Sequence, residues 1–176
     1  MVGPVVTFGI AFVGIWLIIA IHEWGHYYAG RNIVGIPPES ITVVELYFPR
    51  YVALNDGEEW ISPRNLEQYR QTYEQYDPDG EHIERFLAAG ELIQAAVVVP
   101  VAVVVGFAVS VEIAVVILLL SLLSTAAYVA IDLIATLYTG TPSGDYSQLW
   151  ETTPMLPIFL LLGFASLHVI PMLLLT

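Results

Sequence analysis

The chain has 176 residues, 57% of them hydrophobic and only 12% charged, with a mean hydropathy of +0.72; a soluble domain usually carries about twice that charged fraction. Its net charge of −12 comes from 17 acidic residues against five arginines with no lysine, which excludes nucleic acid as a partner, because phosphate binding needs basic clusters. The absence of cysteine excludes disulfides, thiolate metal sites and a cysteine nucleophile, so any metal must be held by histidine and carboxylate.

An acidic surface without lysine also suits a high-salt cytoplasm. The apolar residues cluster into runs of the roughly 20 residues needed to cross a bilayer. The first predicted span covers about residues 4–29. Its apolar stretch ends at Ile21 and continues as His22-Glu23-Trp24-Gly25-His26-Tyr27-Tyr28, with Gly30 and Gly35 as stop signals. It lacks the basic leader and small-residue cleavage site of a signal peptide, and is expected to be retained.

Residues 31–85 form the one extended hydrophilic region. Ser40 to Phe48 and Tyr51 to Leu54 are rich in β-branched and aromatic residues and are separated by Pro49-Arg50, which predicts a short β-ribbon. Asn55-Asp56-Gly57 predicts a turn. Pro63 to Tyr76 reads as a polar helix with Ser62 as N-cap, ended by Asp77-Pro78-Asp79-Gly80. Three more spans are predicted at about 86–110, 112–138 and 154–175. The second is interrupted by Gly90, Glu91, Gln94 and Pro100, and a polar loop from Thr139 to Thr153 carries Asp145.

The fold class expected is therefore an all-α integral membrane bundle of about four transmembrane helices, one domain over residues 1–176, with a small β-ribbon and helix in the insert. All five arginines (Arg31, Arg50, Arg64, Arg70, Arg85) lie between the first two spans, which places the insert in the cytoplasm of a multi-pass cell-membrane protein. The ends of spans one and three, bearing His22, His26 and Asp145, then emerge on the same cytoplasmic side.

His22-Glu23-Trp24-Gly25-His26 is an H-E-x-x-H sequence on a predicted helix. Residues four apart share a helical face, so two imidazoles can grip one Zn²⁺ while the intervening glutamate acts as general base on its water. An ionisable residue deep in a membrane helix costs roughly 2.5–3.5 kcal/mol, so three together at the edge of an apolar run point to a function that offsets the cost. Catalytic zinc usually has three protein ligands plus water. Candidates for the third are Asp145, Asp132, Glu91, His82, Glu112 and His168. Glu112 lies at the far end of its span. His168 reads as a packed or interhelical histidine, and His82 as a surface residue. Glu91 and Gln94 sit where they line a cavity. Asp145 ranks first, because Pro142 and Gly144 break the backbone there and such breaks at membrane depth line protein cavities; Asp132 ranks second.

These residues resemble the site-2 protease family of intramembrane zinc metalloproteases. The stretch from His22 to Tyr27, with Ala29-Gly30-Arg31 and Gly35, looks like the family's H-E-[F/W]-G-H helix and its continuation. The ribbon from Ile41 to Leu54 is similar to the family's β-rich segment, Phe86 to Leu92 to its A-G-P-L opening, and Pro142-Ser143-Gly144-Asp145 to its aspartate turn. The resemblance implies a three-helix catalytic core, His22, His26 and Asp145 on zinc, Glu23 as base, and a membrane protein as substrate, cleaved in or beside its transmembrane segment. The chain departs from the pattern where Gly144 precedes the aspartate instead of following it, where Glu91 replaces a proline, and where the upstream asparagine is missing. No PDZ-like insert is present.

The expected reaction is metal-assisted amide hydrolysis, with the edge of the 41–54 ribbon holding an unwound substrate by β-augmentation. Two other readings compete: a zinc-binding membrane protein without protease activity, such as a carrier, and a membrane zinc hydrolase of a non-peptide substrate. A carrier needs polar groups through the whole membrane depth, whereas here they concentrate at one end.

Overall fold

The structure, a computed structural model, describes residues 4–176, with side chains from residue 8 onward. Helix α1 (Pro4–Ala29) runs through the H-E-x-x-H sequence without a break and ends in a π-helical turn, Gly30–Val34. Gly35 stops it at φ 85°, and the Arg31 guanidinium donates to the Ile36 carbonyl to close the turn. A 3₁₀ turn (Pro38–Ser40) leads into an antiparallel sheet of β1 (Ile41–Val44), β2 (Tyr51–Asn55) and β3 (Trp60–Ile61). Ile41 pairs with Leu54, Val44 with Tyr51, and Asn55 with Trp60. The ribbon expected from the sequence is thus the first hairpin of a three-stranded sheet, with β1 and β3 at its edges. The β2–β3 turn is set by Gly57 at φ 103° and by Asp56, whose carboxylate accepts from the backbone N–H of Glu59 and Glu58, both at 2.9 Å. Those bonds hold the Asp56 carboxyl below its ordinary range.

The tip of the first hairpin lies back along α1. Arg50 is buried, with its guanidinium 3.6 Å above the Trp16 ring and 3.0 Å from Glu45, and Phe48 packs on Phe12. Phe12 is about 15 Å along the helix from His22 at 1.5 Å per residue, so the hairpin flanks the apolar part of α1.

Helix α2 (Leu66–Glu74) starts later than expected. Ser62 does not cap it. Its hydroxyl instead accepts from Arg64 N, and its carbonyl from Asn65 N, making a turn that delays the helix to Asn65 as N-cap. At the other end the Tyr73 hydroxyl donates to the buried Asp77 carboxylate at 2.9 Å, and burial together with that bond pushes the phenol up. Asp77 also accepts from the backbone N–H of Glu81 and His82, which ties the loop to the start of the next helix.

The remaining helices are α3 (Ile83–Ala108), α4 (Val111–Thr139), α5 (Asp145–Thr152) and α6 (Leu156–Leu175). The short α5 falls in the segment expected to be a loop. Helix α3 continues unbroken through Gly90, Glu91, Gln94 and Pro100. Among the described residues, four helices are long and apolar enough to cross a membrane: Phe8–Val34 (α1 with its π-helical turn), α3, α4 and α6. Their outward faces carry Phe12, Phe107, Leu137 and Leu174 in the open. The compact core lies at one end of the bundle, where Ile41, Val52, Leu54, Tyr73, Phe86 and Leu149 bring the sheet, α2 and α5 onto α3. The chain therefore combines apolar rods with a small, well-packed cap, and the polar residues of interest sit where the two meet.

Candidate metal centre

Two glycines bring α1 and α3 together at the site. A methyl at Gly25 would overlap the backbone of Ala89, and one at Gly90 would overlap both His22 and His26. The helices therefore meet backbone to backbone, and Gly90 forms the floor under the two imidazoles. The rings are edge to face with centroids 4.8 Å apart, and their Nε2 atoms are 3.1 Å apart.

Asp145, at the first position of α5, completes the group. Its Oδ2 lies 3.2 Å from His26 Nε2 and 3.5 Å from His22 Nε2. Ligands 2.0–2.1 Å from a tetrahedral zinc are about 3.3 Å from one another, and the three separations bracket that value. The partners on the far sides of the rings fit the same reading. His26 Nδ1 donates to the Phe86 carbonyl at 2.8 Å, and His22 Nδ1 is 3.3 Å from Gln94 Oε1. With Nδ1 protonated in each neutral ring, both Nε2 atoms present lone pairs, and Oδ2 presents a third. Three acceptors converging in a buried space need something positive between them, a shared proton or a metal ion. Burial alone would raise the Asp145 carboxyl; the imidazoles beside it outweigh burial and hold it low. His22, His26 and Asp145 together could bind a metal ion.

Asp132 does not join this group. It is buried on α4 and takes the Ser147 backbone N–H at 2.9 Å, the Ser147 hydroxyl at 2.5 Å and the Thr136 hydroxyl at 3.2 Å. The N-cap of α5 is Gly144, which has no side chain to cap with. Asp132 supplies the missing acceptor from across the fold. A methyl at Gly144 would lie 2.7 Å from Asp132 Cγ, so glycine is what lets the carboxylate reach in. The aspartate ranked second from the sequence thus holds the one ranked first. Tyr128, one turn before Asp132, donates to Asp145 Oδ2 at 2.9 Å.

The other candidates are elsewhere. Glu112 sits in the first turn of α4, at its far end, where it accepts from the hydroxyl of the N-cap Ser110. His82 stands half-buried at the start of α3. His168 is fully buried between α6 and α4, bonded to Ser121 and to the Phe164 carbonyl. Glu91 is buried 3.7 Å from His22 Nδ1, and neither carboxylate oxygen has a hydrogen-bond partner among the described residues.

Sequence reasoning missed Tyr128 and Thr125. A signal was present: Ser121, Thr125, Tyr128 and Asp132 are spaced by four, three and four residues, a polar stripe on one face of an apolar helix. Glu23, half-buried, faces a cavity of about 580 Å³ that reaches from the three ligand atoms to Arg50, Arg64 and Tyr128. That volume is typical of a ligand site. No protein-family model, curated protein or solved structure matches the chain.

Proposed function

We propose that the chain is an integral membrane zinc metalloprotease of the site-2 protease type, cleaving peptide bonds within or beside the transmembrane segments of other proteins. The observation that carries this reading is the convergence of His22 Nε2, His26 Nε2 and Asp145 Oδ2 at tetrahedral spacing, with Glu23 on the same cavity. Two imidazoles and a carboxylate suit zinc. Bound there by His22, His26 and Asp145, zinc would polarise the scissile carbonyl and bring the pKa of its water near 7.

The protein's own groups do the rest. Glu23 accepts the water proton and delivers it to the leaving amine, as a general base and then acid. Gln94 and the Phe86 carbonyl keep the two imidazoles oriented, and the Tyr128 hydroxyl holds Asp145. A helical substrate hides its peptide groups, so it must be drawn out before attack. The free edge of β1 offers backbone donors and acceptors for an extended segment. The insert with its five arginines faces the cytoplasm in this reading.

Glu23→Gln separates the protease from a zinc carrier. In proteoliposomes carrying a single-span reporter protein, the variant should keep zinc at wild-type stoichiometry and lose cleavage by about 10²-fold or more, the scale of general-base catalysis. Cleavage at the wild-type rate would overturn the protease reading. Zinc uptake into vesicles, unaltered by the substitution, would favour a carrier.

A further inference from the structure

We infer that Gln94 is a positioning residue of the metal centre, anchored through Ser121 to His168, so that α6 takes part in setting the tautomer of His22. This rests on the metal centre proposed above and adds to it helix α6 and two residues, Ser121 and His168, with no contact to the metal.

The direction of every bond in the chain follows from its far end. The Phe164 carbonyl can only accept, so His168 Nδ1, 2.8 Å away, donates to it. In the neutral ring His168 Nε2 is then an acceptor, and it takes the Ser121 hydroxyl proton at 2.9 Å. The Ser121 oxygen is thereby left as an acceptor for the side-chain amide of Gln94, again at 2.9 Å. Thr125 Oγ1 at 3.2 Å and the Ser121 carbonyl at 3.4 Å face the same nitrogen. With three oxygens around Nε2, the amide has one orientation, and its Oε1 points at His22 Nδ1, 3.3 Å away. His22 Nδ1 must then carry the proton, and its Nε2 lone pair is turned toward His26 and Asp145.

The three linked side chains are buried. Gln94 is 2% exposed, and Ser121 and His168 are not exposed at all. A buried amide with the opposite orientation would set its NH₂ against a protonated His22 Nδ1 and its carbonyl against the Ser121 hydroxyl oxygen and the Ser121 carbonyl, neither with a proton to give, leaving unpaired polar groups at about 1–3 kcal/mol each. The arrangement also gives a use to two residues that otherwise interrupt apolar helices, Gln94 in α3 and His168 in α6. Glu91 Oε1, at 3.7 Å, is outside hydrogen-bond range of the same ring nitrogen and does not replace Gln94.

Partners that orient metal-bound histidines typically contribute 10–100-fold in metal affinity. The test is zinc affinity by chelator competition on purified protein, with the visible spectrum of the Co²⁺-loaded form as a second readout. Gln94→Met keeps the length of the side chain but has no oxygen, and should weaken zinc by about 10–100-fold and alter the Co²⁺ bands. Gln94→Glu restores an oxygen toward His22, and its second oxygen can accept from the Thr125 hydroxyl but faces the Ser121 oxygen, whose proton is held by His168, so it should recover part of the affinity lost in Gln94→Met. Wild-type affinity in Gln94→Met would overturn the role of Gln94, as would equal losses in both variants. His168→Leu should weaken zinc several-fold, and no change there would remove α6 from the proposal. A wild-type protein that binds no zinc would instead refute the metal centre itself, a failure distinguishable from all of these.

Discussion

Replacing Asp132 by alanine tests whether this buried carboxylate holds a ligand or is one. It accepts two hydrogen bonds from Ser147, one of them the backbone N–H that an N-cap side chain would satisfy. A lost cap costs about 1 kcal/mol, and a hydrogen bond to a charged group about 1.5–3 kcal/mol. Removing both should destabilise the start of α5 by about 2–4 kcal/mol. Helix α5 has other ties, among them the fully buried Leu149 and the Tyr128 bond to Asp145, so it frays at its N-terminus rather than detaching. If half the loss falls on the placement of Asp145, about 1–2 kcal/mol, metal affinity drops about 5–30-fold. Asp145→Ala deletes a ligand outright and should do more damage. Zinc content and chelator competition on the two variants side by side, with circular dichroism to check helicity, measure the order. An Asp132→Ala protein that loses metal as completely as Asp145→Ala while keeping its helices would refute the assignment, as would an Asp145→Ala protein that binds zinc at wild-type affinity.

Further outcomes follow from the same geometry. Gly90→Ala places a methyl against both imidazoles and should abolish metal binding, whereas Gly25→Ala strikes the backbone of Ala89 and should lower the thermal unfolding midpoint in detergent as well. Because protons and metal compete for the Nε2 lone pairs, affinity should fall as pH drops, by up to about two decades per unit where both rings must lose a proton; a flat profile between pH 5 and 7 would argue against histidine ligation. Proline at alternate positions of β1 should abolish cleavage in the series that blocks the outward edge while zinc stays bound, and persistent cleavage in both series would remove the strand from substrate binding.

How much of this was legible beforehand varied with the range of the interactions. His22, Glu23 and His26 are neighbours on one helical turn, so their spacing alone announced a shared face. Asp145 was found through local chemistry, a proline and a glycine that break the backbone beside it. Asp132 ranked second because a carboxylate in a span is conspicuous whatever it binds. Its partner, the Ser147 amide, is chosen by how α4 and α5 pack, and no local pattern encodes that. The same holds for Gln94, whose partners are 27 and 31 residues further on. The strand β3 has two residues and α5 has eight, too few for periodicity to register. Ser62-Pro63 carried a sound helix-start signal, and the hydroxyl spent itself on a preceding turn instead.

The backbone contact at Gly25 and Gly90 fixes more than a distance. With no side chains between them to act as bearings, α1 and α3 cannot slide or roll against each other without dismantling the imidazole pair. The first hairpin is riveted to α1 in turn, by Arg50 on Trp16 and Phe48 on Phe12. Helix α1 thus carries α3 on one side and the hairpin on another. The opposing wall of the cavity is α4, which meets the void through Leu123, Ala127 and Ile131.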